Sequence, residues 1–305
     1  MISKTIWLKM GFTSFFWALM FYLGQYSVAY LSPESLSAWR FILGAVVVIP
    51  LVEMRQGIDI VGIAKHFMPL LLMAVLGIGG FNLALFHGMK DTSAINGSLI
   101  MALCPVIITA FSVLLGEKFS YQQAIGLVLG VLGVVIVISQ GSLSVLTQLS
   151  FQKGDIWVLL AAVCWALYST IPKRFIHNLP PLQITVATVS MASIFLSLFA
   201  QSTQGDMLHS VPWSVAASIA AMGLFGSGIA YLWWNDAVRS VGAGTVSIFM
   251  NLVPIYTALI GFMIGQPLTM VHVIGTVFVL VGVSLTTASP KTAPSLKILL
   301  SNEVK

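Results

Sequence analysis

Apolar segments of about twenty residues recur along the whole chain, and short polar stretches separate them. Of the 305 residues, 58% are apolar and only 8% are charged, against about 25% charged residues in an ordinary soluble domain. A soluble core cannot bury that much apolar surface, whereas a helix of about twenty apolar residues spans a lipid bilayer. The pattern therefore predicts an all-α membrane protein in which lipid solvates most of the chain.

The apolar runs between charges and turn signals predict ten transmembrane helices. In the first half of the chain they cover residues 6–30, 34–52, 67–89, 92–115 and 121–139. In the second half they cover residues 155–177, 181–200, 212–236, 242–265 and 271–288. The first run has no small-residue cleavage site and is long enough to span, so we expect it to be retained as a helix.

The basic residues of the predicted loops indicate the orientation, because cytoplasmic loops of membrane proteins are rich in Lys and Arg. With the N-terminus in the cytoplasm, eleven basic residues lie inside and two, Lys90 and Lys153, lie outside. The basic tail, residues 289–305, then shares the cytoplasmic side, as an even number of helices requires. We therefore expect an integral inner (plasma) membrane protein with both termini in the cytoplasm.

The composition also argues against several other classes of function. The net charge of +5 comes from singly scattered residues, whereas nucleic-acid sites cluster basic residues on one face. Cys104 and Cys164 lie in apolar segments, which predicts buried thiols and neither a disulfide nor a metal site. The sequence has no P-loop and no HxxE or HExxH spacing, so we expect no cofactor, no metal, no direct ATP drive and no enzymatic activity.

The two halves of the chain repeat one another at a nearly constant offset. Trp17-Ala18-Leu19 returns 148 residues later as Trp165-Ala166-Leu167, and Pro33 returns as Pro181. After one inserted residue the offset becomes 149, and the further identities are Gly77/Gly226, Gly79/Gly228, Ser98/Ser247, Pro105/Pro254, Gly116/Gly265, Gly126/Gly275 and Gly133/Gly282. We interpret residues 6–139 and 155–288 as two copies of one five-helix unit.

An odd number of helices in each copy makes the second copy enter the membrane upside down. Inverted repeats of this kind are typical of secondary transporters, whose substrate site lies between the repeats near the middle of the membrane. Two similar halves of opposite orientation can exchange conformations. The repeat therefore predicts outward-open and inward-open states of comparable energy.

Several motifs make the chain resemble a known family of membrane proteins. They are Trp17-Ala18, Arg40, Gly116-Glu117, Asn251-Leu252-Val253-Pro254, and the glycine-rich ends Gly126 to Gly133 and Gly275 to Gly282. With them the chain resembles the EamA-type ten-helix members of the drug/metabolite transporter superfamily over residues 6–288. The resemblance implies a 5+5 bundle with a central cavity that exports or exchanges small metabolites, often amino acids. One departure is Gly265-Gln266, where the family often has Gly-Glu.

Polar and aromatic side chains within the predicted helices indicate where a substrate would bind. Polar groups inside a bilayer need partners, and a substrate can be one of them. We expect a central cavity lined by helices 1, 3, 4, 6, 8 and 9. Its predicted substrate-binding residues are Trp17, Gln25, Arg40, Asn82, Ser98, Trp165, Tyr168, Tyr231, Trp234, Ser247 and Asn251. Aromatic walls with a few amides and hydroxyls suit an amino acid or a similar amphipathic metabolite.

Some of these residues also have a simpler interpretation. Trp17 and Trp165 could pack between helices without facing a cavity. Arg40, about two turns below the outer surface, could extend to the lipid headgroups or could clamp a carboxylate or phosphate. His87, near the outer end of helix 3, could be an interfacial residue or could couple transport to protons. Asp236 is expected to form a structural ion pair with Arg239.

Prolines and glycines indicate moving or closely packed parts. Pro105 and Pro254 fall inside helices 4 and 9, where a proline removes a backbone hydrogen bond and produces either a fixed kink or a hinge; their recurrence favours a hinge. Small-residue faces on helices 5 and 10 pack either within the monomer or in a homodimer. These faces consist of Gly126, Gly130, Gly133, Gly275 and Gly282.

The predicted function is that of a secondary transporter that exports its substrate by alternating access. Its partners are a small-molecule substrate and the lipid bilayer, with no nucleic acid. The alternatives are a passive channel and an intramembrane enzyme. A carrier saturates and shows trans-stimulation, which a pore does not.

Overall fold

Apolar helices make up most of the structure, a computed structural model that describes residues 4–114, 121–139, 141–142, 152–203, 210–241, 246, 248–266 and 268–287. Within these ranges there are helices and turns but no strands. Six helices are long and apolar enough to cross a membrane, and four shorter apolar helices accompany them. The all-α prediction is therefore confirmed for the described residues.

We label the main helical segments α1 to α10 in chain order. In the first half they are α1 (Lys4–Ser27), α2 (Pro33–Gln56), α3 (Phe67–Gly88), α4 (Ala94–Met101 and Cys104–Leu114) and α5 (Tyr121–Ile138). In the second half they are α6 (Lys153–Phe175), α7 (Pro181–Ser202), α8 (Trp213–Ala221, Met222–Ile229 and Ala230–Val241), α9 (Ile248–Asn251 and Leu252–Met263) and α10 (Met270–Thr287). A short helix, Ile60–Lys65, precedes α3. The segments lie where the apolar runs predict helices, and that all of them cross the membrane stays a prediction.

Local sequence explains where α2 begins and ends. The Ser32 hydroxyl accepts a hydrogen bond from the Ser35 backbone N–H at 3.2 Å, which satisfies one of the free donors of the first turn. Pro33 occupies the first turn, where its missing N–H costs nothing. Gly57 ends the helix with a φ of 72°, a conformation that glycine adopts without steric cost. The helix therefore extends one turn beyond the predicted end at residue 52.

Two stretches of wider, π-type helix interrupt α3 and α8, and the sequence patterns did not predict them. They are Met73–Gly80 in α3 and Met222–Ile229 in α8, so both ends recur at the offset of 149 residues. Each contains the repeated glycines, Gly77 and Gly79 or Gly226 and Gly228. Because π-type turns are rare and concentrate at functional sites, their recurrence indicates that the middle of both helices is a candidate functional region.

The helices that carry Pro105 and Pro254 are not continuous, which corrects the predicted ranges 92–115 and 242–265. In α4 a turn at Ala102 and Leu103 separates the two parts, and Pro105 is the second residue of the second part. In α9 a 3₁₀ turn, Ile248–Asn251, precedes the α-helical part, and Pro254 is its third residue. A proline fits the first turn of a helix but not its interior, so each break lies just before its proline.

Most of the close helix contacts join the two halves. Helix α1 contacts α8 and α9 of the other half, and α6 correspondingly contacts α3 and α4. Helix α2 packs along α7, and α5 packs along α10. The first helix of each half thus lies among the helices of the other half, which brings residues from both halves together in the centre.

The glycine faces of α5 and α10 pack against each other within the chain. A Cβ atom at Gly133 would lie 2.8 Å from the Gly275 carbonyl oxygen, and one at Gly282 would collide with the backbone at Gly126 and Gly130. Such small-residue faces let two helices approach closely. The glycines therefore serve contacts inside the monomer, and a homodimer through α5 and α10 would have to use their outer faces.

Candidate central binding site

A partly open cavity lies where helices of the two halves meet; the empty space between its walls, open solvent included, is about 560 Å³. Its lining comes from α1, α2, α3, α4, α6, α8 and α9. The lining residues are Trp17, Met20, Phe21, Arg40, Phe81, Leu85, Ser98, Met101, Ala102, Trp165, Tyr231, Met250 and Val253. Both broken helices contribute, since Met101 and Ala102 lie at the break in α4 and Met250 and Val253 lie at the break in α9.

Five predicted aromatic residues form one cluster beside this cavity. The ring centroids of Trp17 and Trp165, which occupy equivalent repeat positions, are 5.6 Å apart in an edge-to-face arrangement. Trp234 lies 5.2 Å from Trp17. Tyr231 lies 5.8 Å from Trp165, and Tyr168 stacks on Trp165 at 5.3 Å. Such pairs prefer offset or edge-to-face orientations, and together the five rings form an aromatic wall between the halves.

Arg40 is the charged residue among those that line the cavity. Its side chain is 1% exposed, so the structure excludes the alternative in which it extends to the lipid headgroups. Its Nε donates to the Ser227 hydroxyl at 2.7 Å, and Nη1 donates to Asn82 Oδ1 at 2.6 Å. The guanidinium also lies over the ring of Phe86, with its carbon 5.7 Å from the centroid. No carboxylate among the described residues pairs with it.

Two neutral donors of the cavity wall also lack hydrogen-bond partners within the described part of the chain. They are the Trp165 indole N–H and the Tyr231 hydroxyl, and both atoms are buried. An unpaired donor in a bilayer interior costs free energy unless a ligand or water satisfies it. The cavity wall thus contains two buried polar groups without partners among the described residues, and Arg40 is the charged residue of its described lining.

Other predicted site residues lie in different surroundings. Asn82, on α3, accepts a hydrogen bond from Arg40 and donates one to the Ile78 carbonyl at 2.8 Å. Gln25 does not line the cavity; its amide donates to the Thr92 carbonyl at 3.1 Å. Asn251 is also absent from the lining, although its buried Oδ1 has no partner among the described residues. Ser247 lies outside the described residues.

His87 lies away from the cavity, in a cluster of side chains at the C-terminal end of α3. Its Nε2 is 2.8 Å from Glu34 Oε1 of α2, and its ring stacks on Trp157 of α6 at 5.5 Å. Close by in sequence, Thr92 donates to Asp155 Oδ1 at 2.5 Å. These contacts join three helices at one end of the bundle. A role of His87 in proton coupling stays a prediction.

Near the N-terminal end of α1, the Lys9 ammonium pairs with the Asp236 carboxylate at 2.8 Å. This contact ties α1 to α8. The expected pair of Asp236 with Arg239 stays a prediction, because the side chain of Arg239 lies outside the described part. Cys104 and Cys164 are buried free thiols. Among the described residues, no three His, Cys, Asp or Glu side chains lie together as metal ligands.

Sequence patterns did not identify two residues that contact Arg40 in the cavity wall. Ser227 stands between the repeated Gly226 and Gly228, so the repeat marked its neighbourhood but not its role. Met20 lies 3.5 Å from Arg40 Nη2 through its sulfur, and also fills the space beside Gly226. The repeat offers a signal for both, because Met20 and Tyr168 occupy equivalent positions and contact the equivalent glycines Gly226 and Gly77.

Comparison with known proteins identifies the family. The sequence profile described as the EamA-like transporter family matches residues 5–139 and again residues 152–288. The chain belongs to the EamA-like transporter family. The resemblance seen in the motifs is thereby confirmed, and with six candidate spans this EamA-like transporter is an integral membrane protein.

Relatives of this EamA-like transporter occur in bacteria and archaea. An uncharacterized transporter of Bacillus subtilis, YyaM, is 36% identical over 276 residues and covers 90% of both chains. An uncharacterized transporter of Archaeoglobus fulgidus is 26% identical over 283 residues, covering 91% of this chain and 96% of its own. A protein of Pseudomonas aeruginosa named a probable biotin transporter is 24% identical over 250 residues, covering 79% and 82%. Family and names indicate a transporter rather than an enzyme.

A solved structure shares the fold. A crystal structure superposes with a TM-score of 0.64 and covers 100% of both chains at 18% identity. At that level of identity the likeness concerns the arrangement of helices and not the substrate.

Proposed function

We propose that this EamA-like transporter is a secondary transporter that moves a small amphipathic metabolite, an amino acid or a similar acid, outward across the inner membrane by alternating access. The observation that carries the proposal is the buried Arg40 in a cavity between the two halves, without a carboxylate partner among the described residues. A buried charge in a membrane protein faces a partner or a substrate pathway. A substrate carboxylate would be that partner.

The repeat supports alternating access. We propose that residues 6–139 and 155–288 are two inverted copies related by a two-fold axis in the membrane plane, so that the ten segments form a 5+5 bundle. Recurrence of the π-type stretches at 149 residues supports this relation. Exchange of conformations between the copies would open the cavity to either side in turn.

The proposed orientation places both termini in the cytoplasm, on the basis of the Lys and Arg distribution. We expect a reporter fused after residue 305 to be active when it requires the cytoplasm and inactive when it requires the periplasm. The same reporters after residue 90 should give the opposite pattern. A C-terminus outside the cytoplasm would contradict the even number of helices.

Proteoliposomes distinguish a carrier from a channel. A panel of amino acids and small amphipathic acids is first screened for thermal stabilisation of the purified full chain. We expect uptake of a stabilising solute to saturate and to accelerate when the vesicles are loaded with the same solute. Linear uptake without acceleration would indicate a channel, and chemical change of the solute would indicate an enzyme.

The biotin-related relative is consistent with this substrate class. Biotin carries one carboxylate on an uncharged body, which is a group that the Arg40 cavity could take. The proposal for this chain rests on the cavity, since the name belongs to the relative alone.

The proposed hinges lie at Pro105 and Pro254. We expect Pro105→Ala and Pro254→Ala to slow transport severalfold while membrane abundance stays within about twofold, because alanine allows the broken helices to become continuous. Pro50→Ala, in the last turns of α2, is the matched control and should transport normally. Flux and abundance are measured on the same vesicles. Loss of abundance with unchanged flux per molecule would show that the prolines serve only the fold.

A further inference from the structure

Arg40 supplies the charged hydrogen-bond donors of the cavity wall. A guanidinium has five N–H donors, and those of Arg40 bond to two oxygens, Ser227 Oγ and Asn82 Oδ1. Of the three that remain, the nearest contact is the weak sulfur acceptor of Met20, 3.5 Å from Nη2. A carboxylate can take two such N–H groups at once. The indole N–H of Trp165 and the hydroxyl of Tyr231 are the other free donors.

The described lining of the cavity has no negatively charged hydrogen-bond acceptor. None of its thirteen described residues is an Asp or a Glu. The described acids that form ion pairs or side-chain hydrogen bonds do so elsewhere: Glu34 with His87, Asp59 with the Gly62 backbone N–H, Asp155 with Thr92 and Asp236 with Lys9. An ammonium group carried into the cavity would meet aromatic faces and the charge of Arg40 but no carboxylate.

We infer that the cavity selects monocarboxylates whose remaining part is uncharged, and that it discriminates against zwitterionic amino acids. This inference rests on the proposed function and narrows its substrate class. Arg40 binds the carboxylate, with Trp165 and Tyr231 as additional donors. The uncharged tail lies against Phe21, Phe81 and Leu85, and the flexible methionines Met101 and Met250 adapt to its shape.

Physical reasoning sets the size of the discrimination. Desolvating an ammonium without a compensating acceptor has a penalty large enough for a preference on the order of 100-fold for the acid over the matching amino acid. Replacing the carboxylate by a carboxamide removes a charge-assisted pair, which corresponds to about 10- to 100-fold. The contribution of the ligand's carboxylate and the penalty for an added ammonium can thus be measured separately.

Calorimetric titration of the full chain in detergent, with three matched probes, tests the inference. The probes are 3-phenylpropionate, its amide 3-phenylpropanamide, and phenylalanine, which adds an ammonium to the acid. We expect the acid to bind about 10- to 100-fold more tightly than the amide and on the order of 100-fold more tightly than phenylalanine. Arg40→Gln should bring the acid and the amide to within about threefold of each other.

Two further variants keep the test independent of folding. Tyr231→Phe removes only the free hydroxyl and should weaken acid binding about threefold to tenfold. Tyr30→Phe makes the same change at an exposed site outside the cavity and should have no effect. Retained binding of the amide by Arg40→Gln shows that this variant is folded.

Three results would overturn the inference: phenylalanine binding as tightly as the acid, no affinity for the acid, or an unchanged ratio of acid to amide in Arg40→Gln. Each leaves the proposed carrier function intact, because saturation and trans-stimulation are measured separately in vesicles. Conversely, selective acid binding without trans-stimulated flux would contradict the carrier and not the selectivity.

Discussion

Trp17→Ala should lower transport by about tenfold per folded molecule. The indole of Trp17 contacts Trp165 and Trp234, and its N–H donates to the Gly226 carbonyl at 3.3 Å, within the π-type stretch of α8. Replacing a packed Trp by Ala costs about 3–5 kcal/mol of contacts. If only a third of that is lost from the substrate complex, the affinity falls about tenfold.

Trp7→Ala is the matched control, because it removes the same atoms from the same helix. Trp7 is 54% exposed, and its ring contacts Phe249 outside the cavity. We expect it to keep more than half of the transport activity. Flux is measured in proteoliposomes and divided by the amount of monodisperse protein. Equal loss in both variants would mean that the aromatic cluster is no more important than any tryptophan of α1.

Gly133→Ala should produce a clear loss of stability. Its Cβ would lie 2.8 Å from both the Gly275 carbonyl oxygen and the Val279 backbone nitrogen. Backbone atoms inside a helix cannot move aside, so α5 and α10 must separate. Overpacking of this kind costs about 1–3 kcal/mol, which corresponds to a fall of roughly 2–5 °C in the unfolding midpoint of a chain of this length.

Gly11→Ala provides the comparison, since a Cβ there meets only the Tyr256 hydroxyl at 4.0 Å. We expect that variant to match or exceed the parent midpoint, because alanine favours helix more than glycine does. Both midpoints are read from thermal unfolding in detergent, with size-exclusion chromatography of the same samples. A Gly133→Ala variant with an unchanged midpoint and an altered oligomeric state would assign the glycine face to a contact between copies.

The sequence was sufficient to predict the helices and the aromatic cluster. Runs of apolar residues identify helices through their length, and the repeat placed Trp17 and Trp165 at equivalent positions. In the structure these two rings meet, and Tyr231 and Trp234 join them because both lie on the same side of α8. Periodicity and symmetry carry this information without any knowledge of the tertiary contacts.

Contacts between distant residues could not be predicted in the same way. The hydrogen bond from Arg40 to Ser227 joins two residues of no shared motif, and it depends on how α2 meets α8. The position of Gln25 beside the Thr92 carbonyl is likewise set by the loop that precedes α4. The breaks before Pro105 and Pro254, by contrast, follow from proline chemistry.

The interleaving of the two halves has a consequence for biosynthesis. Arg40 and its partner Ser227 are 187 residues apart in the chain. A ribosome that adds about 5–20 residues per second needs roughly 10–40 s to make that stretch. During this interval the nascent first half stands in the bilayer without the Ser227 partner of Arg40 and without the helices that cover α1. We therefore expect quality-control proteases to have their best access to the chain before α8 is synthesised.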